Sequence, residues 1–212
     1  MDSSQINIEL RKRINIINRK RLKNNDFSLI SSNCNGAFIL HDLGQRFNSP
    51  TVNLFLYPKD FIRLVKNLKH YMSIKLRFIE EDGIDYPVGL LDDIKIYFMH
   101  YKNNEDAENK WEERKKRINY ENIFIMMTDR DGCSYDDIKE FDSLPYENKV
   151  MFTHIYYPEF KSTCYIKGFE NENQVGHIYE FKNPETGEKF YDEFDYVKWF
   201  NNKKWESLRF SF

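Results

Sequence analysis

The sequence predicts an α/β fold: a mostly parallel sheet with helices on both faces in three layers, plus a small C-terminal β-hairpin and aromatic helix. Apolar runs typical of strands alternate with segments of helical periodicity. The run 122–128 (NIFIMMT) is nearly continuous apolar, as expected for a parallel strand buried on both faces. We therefore expect an α/β domain over 1–160, with an N-terminal basic amphipathic helix. An aromatic-rich extension, 161–212, is expected to pack on the same domain.

Composition narrows the class of protein. The 212 residues suffice for one well-buried domain, and 32 Lys+Arg against 34 Asp+Glu disfavour a nucleic-acid partner. The cysteines at 34, 133 and 164 are odd in number and form no CxxC pair, which fits a reducing compartment. No apolar run approaches the roughly 18 residues that span a bilayer, and no signal peptide opens the chain. We expect a cytoplasmic protein.

The first element, 5–23, has apolar residues at helical spacing and basic residues on its other faces. The apolar stripe consists of Ile6, Leu10, Ile14 and Ile17. Two interpretations follow. The favoured one is a helix docked by this stripe with a solvated basic face. The alternative is weak contact between residues 5–23 and an anionic membrane surface.

The remaining elements follow in order. A strand at 27–30 and a polar turn lead into a helix over 37–43, and Pro58 suits the first turn of a helix over 58–71. Other strands are predicted at 51–56, 76–79, 94–98, 122–128 and 149–153. Further helices are predicted from 103 or 104 to 118, at 135–141 and at 194–200, followed by Trp205. A hairpin is predicted to pair 175–181 with 188–191.

Reactive or polar clusters follow four of the predicted strands. They are Asn33/Cys34, His100/Tyr101, Asp129/Arg130/Asp131 and Thr153/His154. Ligands of open α/β sheets bind outside the carboxyl ends of the strands, where loops and helix N-termini meet. A parallel sheet would therefore bring these clusters to one edge.

Cys34 lies in the polar turn that leads into the helix over 37–43, where a helix N-terminus favours a thiolate with a lowered pKa. His100 or His154 would be its base, with Asp129 orienting the imidazole. Asn33, or backbone N–H groups near Gly36, would stabilise an oxyanion. This arrangement suits acyl transfer. The alternative is that Cys34 is a small buried hydrophobic residue.

The Asp129-x-Asp131 pair supports a different chemistry. It resembles the metal-binding D-x-D motif of nucleotide-sugar glycosyltransferases, in which paired carboxylates hold a divalent cation against a diphosphate. The structural alternative is an Asx turn that caps the next helix. Arg114 either reaches an anionic substrate or is solvated.

Several short motifs occur in an order that resembles a known bacterial family. They are SNCNG (32–36), SPTV (49–52), YPVG (86–89), HY (100–101), KWxxR (110–114), TDRDGC (128–133), KVMFTH (149–154) and FDYVKWF (194–200). The family is a domain of unknown function often labelled exopolysaccharide biosynthesis protein. The resemblance implies a role in making or decorating a surface glycan. Its S-N-C, H-Y and T-D-R elements correspond to 32–34, 100–101 and 128–130 here.

Three functions remain open. The first is a cytoplasmic transferase that moves an acyl group, for example from acyl-CoA, to a glycan precursor. Its catalytic residues would be Cys34 as nucleophile, His100 as base, Asp129 as the residue that orients His100, and His154 as a second base or substrate contact. Asn33, Gly36, Tyr101, Arg114 and Arg130 would bind substrate. The second is a glycosyltransferase that uses a nucleotide sugar and a divalent metal at Asp129 and Asp131. The third is a non-catalytic glycan-binding or assembly factor.

Overall fold

The computed structural model describes residues 3–202. In chain order the elements are α1 (Ser3–Arg21), β1 (Ser28–Ser31), α2 (Asn35–Asp42), α3 (Pro58–Lys66), α4 (Leu68–Ser73), β2 (Arg77–Ile79), β3 (Val88–Leu91), β4 (Ile94–Tyr97), α5 (Asn104–Lys115), β5 (Ile123–Thr128), α6 (Tyr135–Ser143), β6 (Lys149–Thr153), β7 (Thr163–Tyr165), β8 (Phe181–Asn183), β9 (Glu188–Lys189), a 3-10 helix (Phe190–Glu193) and α7 (Tyr196–Asn202).

The main sheet has four parallel strands in the order β1-β5-β6-β7. Successive side chains of β5 alternate between two cores, as the two-residue period of a strand requires. Ile125 and Met127 pack with α3, α5 and α6, whereas Phe124 and Met126 pack with α2 and α7. The predicted α/β class, with helices covering both faces of a parallel sheet, is confirmed.

The β1–α2 connection depends on a glycine. Gly36, in the first turn of α2, lies so close to β1 that a Cβ atom there would be 2.6 Å from the Cβ of Ser31. A larger residue would push the helix off the strand. The N-terminus of α2 is therefore held directly over the carboxyl end of β1.

A second sheet is antiparallel, in the order β2-β3-β4. The predicted strand at 94–98 is therefore real but does not belong to the parallel sheet. The prediction of a strand at 51–56 is wrong. Asn53 adopts a left-handed φ of 59°, and Phe55 contributes only an isolated bridge to Tyr97. The alternation of Val52, Leu54 and Leu56 reflects burial of an irregular segment.

Other differences concern boundaries. The helix predicted over 58–71 is divided at Asn67, whose φ of −127° and ψ of 43° are not helical. The C-terminal hairpin is shorter than predicted and pairs β8 with β9. The last helix is α7, and Trp205 lies outside the described residues. β7 joins the main sheet, so that sheet contains strands from both sides of residue 160.

Helix α1 docks mainly by polar residues. The predicted docking of its apolar stripe holds for Leu10 and Ile14, which are half-buried, and is wrong for Ile6 and Ile17, which are exposed. Its buried face carries Arg11, Asn15 and Asn18. The Arg11 Nε donates to Asp42 of α2 at 2.9 Å, and the Asn18 amide donates to the hydroxyl of Tyr196 in α7 at 2.9 Å. Between residues 3 and 202, no helix is long and apolar enough to cross a bilayer.

Candidate functional site

A cleft of about 400 Å³ lies at the carboxyl edge of the parallel sheet. This volume is within the usual range of ligand-binding pockets. The cleft is lined by Asn33, Cys34, Asn35, Phe38, Phe55, Met99, His100, Arg130, Asp131, His177 and Tyr179. Residues from distant parts of the chain thus meet at the edge that the sequence predicted.

The predicted strand-end residues that line the cleft follow strands of both sheets. Asn33 and Cys34 follow β1, and Arg130 and Asp131 follow β5, its parallel neighbour. His100 follows β4 of the antiparallel sheet, so the prediction that it ends a parallel strand is wrong. It nevertheless lines the same cleft, because the irregular segment 51–56 connects the two sheets. Phe55 bridges Tyr97 of β4, and the Leu56 N–H donates to the Ser32 carbonyl just after β1 at 2.9 Å.

The N-terminus of α2 forms one wall. The Asn33 side chain ties this turn to β5, because its amide nitrogen donates to Thr128 Oγ1 at 2.8 Å and its oxygen accepts from the Asn35 N–H at 3.2 Å. Asn35 is only 4% exposed, and its Oδ1 atom has no hydrogen-bond partner among the described residues. An unpaired buried acceptor is costly, and Asn35 is also one of the residues that line the cleft.

Cys34 lines the cleft, but its thiol is not activated. Burial raises the pKa of Cys34 to about 11, and the thiol lies 3.9 Å from the Leu54 carbonyl oxygen, which accepts its proton as a weak hydrogen bond. The prediction that the helix N-terminus lowers this pKa is wrong. Desolvation of the thiolate outweighs the partial charge of the helix end.

Asp129 and His154 form a carboxylate–imidazole pair at the ends of adjacent strands β5 and β6. Asp129 Oδ2 lies 2.5 Å from His154 Nδ1 and accepts from the His154 N–H at 2.9 Å. Oδ1 accepts from the Val175 N–H at 2.8 Å. The prediction that Asp129 orients His100 is wrong, because this carboxylate instead contacts Nδ1 of His154. Nε2 is then the ring nitrogen of His154 that Asp129 does not engage.

Two segments of the chain connect the Asp129–His154 pair with the lining of the cleft. Arg130 and Asp131 directly follow Asp129, and the Arg130 guanidinium donates to the Val175 carbonyl at 3.0 Å. The Asp131 N–H donates to Gln174 Oε1 at 2.9 Å, two residues before Val175 and His177 continue the wall. His154 therefore lies beside the cleft rather than in its lining.

The predicted metal pair is geometrically divided. Asp129 uses both carboxylate oxygens in hydrogen bonds to the protein, whereas Asp131 faces the cleft from a left-handed turn with φ of 61°. Within residues 3–202, no group of three or more His, Cys, Asp or Glu side chains is arranged to hold a metal ion.

Three of the predicted substrate-binding residues have internal partners. The Tyr101 hydroxyl donates to the Val52 carbonyl at 2.6 Å and accepts from Arg114 at 2.6 Å. Arg114 also lies over the ring of Phe47. Gly36 provides the close packing of α2 on β1. These residues support the wall without lining the cleft.

Sequence reasoning missed the aromatic wall. Phe38 and Tyr179 stack with ring centroids 4.4 Å apart, and His177 lies 5.3 Å from Tyr179. His177 and Tyr179 lie in a turn closed by the Glu180 N–H, which donates to the His177 carbonyl at 2.9 Å, so neither a helical nor a strand period marked them in the sequence. The segment was instead predicted to be part of a hairpin.

Fold and site together define an α/β protein with a ligand-sized cleft at the carboxyl edge of a parallel sheet. The chain belongs to the family described as Domain of unknown function (DUF1919), whose model matches residues 5–201. It is 52% identical over 199 residues to an uncharacterized protein of Haemophilus influenzae, covering 94% of this chain and 96% of the relative. The predicted membership of a domain-of-unknown-function family is confirmed. Neither description mentions exopolysaccharide, and that assignment stays a prediction.

Proposed function

We propose that this chain is a cytoplasmic transferase that takes a phosphate-bearing carbohydrate, such as a nucleotide sugar, as donor in surface-polysaccharide synthesis. The glycan context comes from the motif resemblance alone. The observation that carries the ligand class is the combination in one cleft of a cationic end, an unpaired buried acceptor and an aromatic wall. Each part suits a different portion of such a donor.

The cationic end suits phosphate. Arg130 brings a guanidinium to the cleft, and the neighbouring N-terminus of the eight-residue α2 carries partial positive charge. His100 and His177 can add hydrogen-bond donors. Asp131 is the acidic residue in the lining, so the balance of charge still favours an anion.

The rest of the cleft suits a carbohydrate. The buried Oδ1 of Asn35 requires a donor, which a sugar hydroxyl would provide. The stacked rings of Phe38 and Tyr179 offer a flat apolar surface for a sugar or a base. A simple inorganic anion would leave both features unused.

His154 is the proposed general base. Asp129 holds its Nδ1, so Nε2 can accept the proton of an acceptor hydroxyl. The acceptor oxygen then forms a bond to the donor carbon, and the bond between that carbon and the phosphate oxygen breaks. The leaving phosphate keeps the electron pair, and Arg130 stabilises its charge.

A thermal-shift screen tests the ligand class. Nucleotide sugars, sugar phosphates and acyl-CoA compounds are compared, each with and without magnesium or manganese. We expect a phosphate-bearing sugar at about 100 times its Kd to stabilise the fold by about 2.7 kcal/mol. Arg130→Gln should weaken binding at least tenfold, because a hydrogen bond to a charged group contributes about 1.5–3 kcal/mol.

The matched control is Arg77→Gln, which removes the same charge from an exposed residue of β2. It should bind as the wild type does. If no phosphate-bearing sugar binds, or if both variants bind equally, the proposal fails. Binding without any turnover would favour a glycan-binding or assembly factor. Binding only with metal would favour the metal-dependent alternative.

Acyl transfer through Cys34 is the second candidate, because Cys34 and His100 share the cleft lining. The raised pKa means that the thiol must lose its proton to His100 once substrate is bound. Incubation with acyl-CoA compounds followed by intact-mass spectrometry tests it. An acyl adduct absent from Cys34→Ala would support this route, and an unmodified chain would count against it.

A further inference from the structure

The outer face of α1 combines exposed isoleucines with basic residues. Ile6, Arg13, Ile17 and Lys20 follow one another at spacings of seven, four and three, which places them on one side of a helix. Ile6 is 43% exposed and Ile17 is 58% exposed, and Ile16 beside them is 51% exposed. No described residue covers this side.

The opposite face explains why the isoleucines point outward. Arg11, Asn15 and Asn18 are buried in a polar network with Asp42 and Tyr196. The Arg11–Asp42 ion pair is nearly fully buried, and breaking such a pair is strongly destabilising. If α1 rotated to bury its isoleucines, the ion pair between Arg11 and Asp42 would break.

We propose that this face of α1 binds an anionic lipid surface. Arg13 and Lys20 form no ion pair with any residue that the structure describes, and they flank Ile17. Isoleucine side chains enter the headgroup boundary, while lysine and arginine attract anionic headgroups. This inference does not depend on the proposed function.

Charge complementarity favours lipid over a second copy of the chain. Glu9 is the acidic residue of this part of α1, and it is already paired with Lys12 at 3.3 Å. Two copies facing each other through α1 would bring basic residues together. An anionic bilayer instead accepts the apolar and the basic residues at once.

Co-sedimentation of the full chain with vesicles tests the proposal. Vesicles of phosphatidylcholine alone are compared with vesicles that also contain phosphatidylglycerol, at low and high salt. We expect binding to the anionic vesicles, weakened by salt. Arg13→Gln with Lys20→Gln should reduce the apparent affinity about fivefold for each charge removed. Ile6→Ser with Ile17→Ser should reduce it about tenfold.

The matched control removes two exposed lysines from the α5 region, Lys102→Gln with Lys110→Gln. It should bind as the wild type does, and circular dichroism should show all variants folded. Absence of binding to anionic vesicles would overturn the proposal. So would equal losses in the control, or a dimer in sedimentation velocity that Ile6→Ser with Ile17→Ser converts to monomer.

Discussion

Two residues at the carboxyl edge of the sheet were both predicted to be catalytic, but the structure places them in different surroundings. Cys34 follows β1 and His154 follows β6, and both were predicted catalytic residues. His154 has a buried carboxylate 2.5 Å from its ring, whereas the thiol of Cys34 faces a carbonyl oxygen at 3.9 Å. The comparison teaches that a strand end places a side chain at the edge, but the groups packed around that side chain determine which contacts it makes.

Magnitudes explain the outcome at Cys34. A helix N-terminus contributes about 0.3–1 kcal/mol, which is less than one pKa unit. Burial opposes it and raises the pKa from 9.0 to about 11. Because burial acts in the opposite direction and is larger, the helix end alone cannot produce a thiolate at neutral pH.

The largest expected effect on stability comes from changing Asp129, the buried carboxylate that contacts His154. Asp129→Asn replaces one acceptor oxygen with a donor, although three donors converge on that carboxyl group. We expect the free energy of unfolding to fall by about 2–3 kcal/mol, measured by urea denaturation. Asp131→Asn is the matched control, because asparagine tolerates the left-handed conformation there. If both variants lost the same free energy of unfolding, the hydrogen bonds to the Asp129 carboxylate would not contribute specifically to stability.

A smaller effect is expected in thiol chemistry. In a Cys133→Ser, Cys164→Ser background, alkylation of Cys34 by iodoacetamide should be about tenfold slower at pH 7 than that of a small thiol. The rate should rise about tenfold per pH unit until it levels near pH 11, because burial favours the protonated thiol. A plateau below pH 9 would show an activated cysteine and reverse the comparison.

The smallest effect is expected from removing the thiol. Cys34→Ser keeps a hydroxyl that can donate to the Leu54 carbonyl, so we expect the free energy of unfolding to change by less than about 1 kcal/mol. Binding of a phosphate-bearing sugar should change less than threefold, a difference of about 0.7 kcal/mol. Calorimetry measures both. A loss of binding comparable to that of Arg130→Gln would place the thiol in the binding machinery.

The sequence predicted the elements that depend on local patterns of apolar residues, and it failed where an element depends on residues distant along the chain. The apolar run 122–128 reported burial on both faces of β5, and that prediction held. The run 51–56 has a similar alternation, but its pairing depended on distant neighbours and on Asn53, so periodicity alone misjudged it.

The candidate site was likewise predicted only in part. Strand-end clusters predicted the edge where the cleft lies, because a parallel sheet brings its carboxyl ends together. Sequence reasoning assigned Asp129 to His100, and the structure pairs it with His154, because β5 and β6 are neighbouring strands. The docking of α1 was missed because Asp42, its buried partner, lies on another helix.

The most direct measurement is donor turnover by four chains: wild type, Cys34→Ala, His154→Gln and, as the matched imidazole control, His70→Gln, which changes an exposed histidine of α4. If His154 is the general base, Cys34→Ala and His70→Gln retain most of the wild-type rate, and His154→Gln loses about 10²–10⁴-fold. Full turnover by His154→Gln, or its loss in Cys34→Ala, would contradict the account and return the chemistry to the thiol.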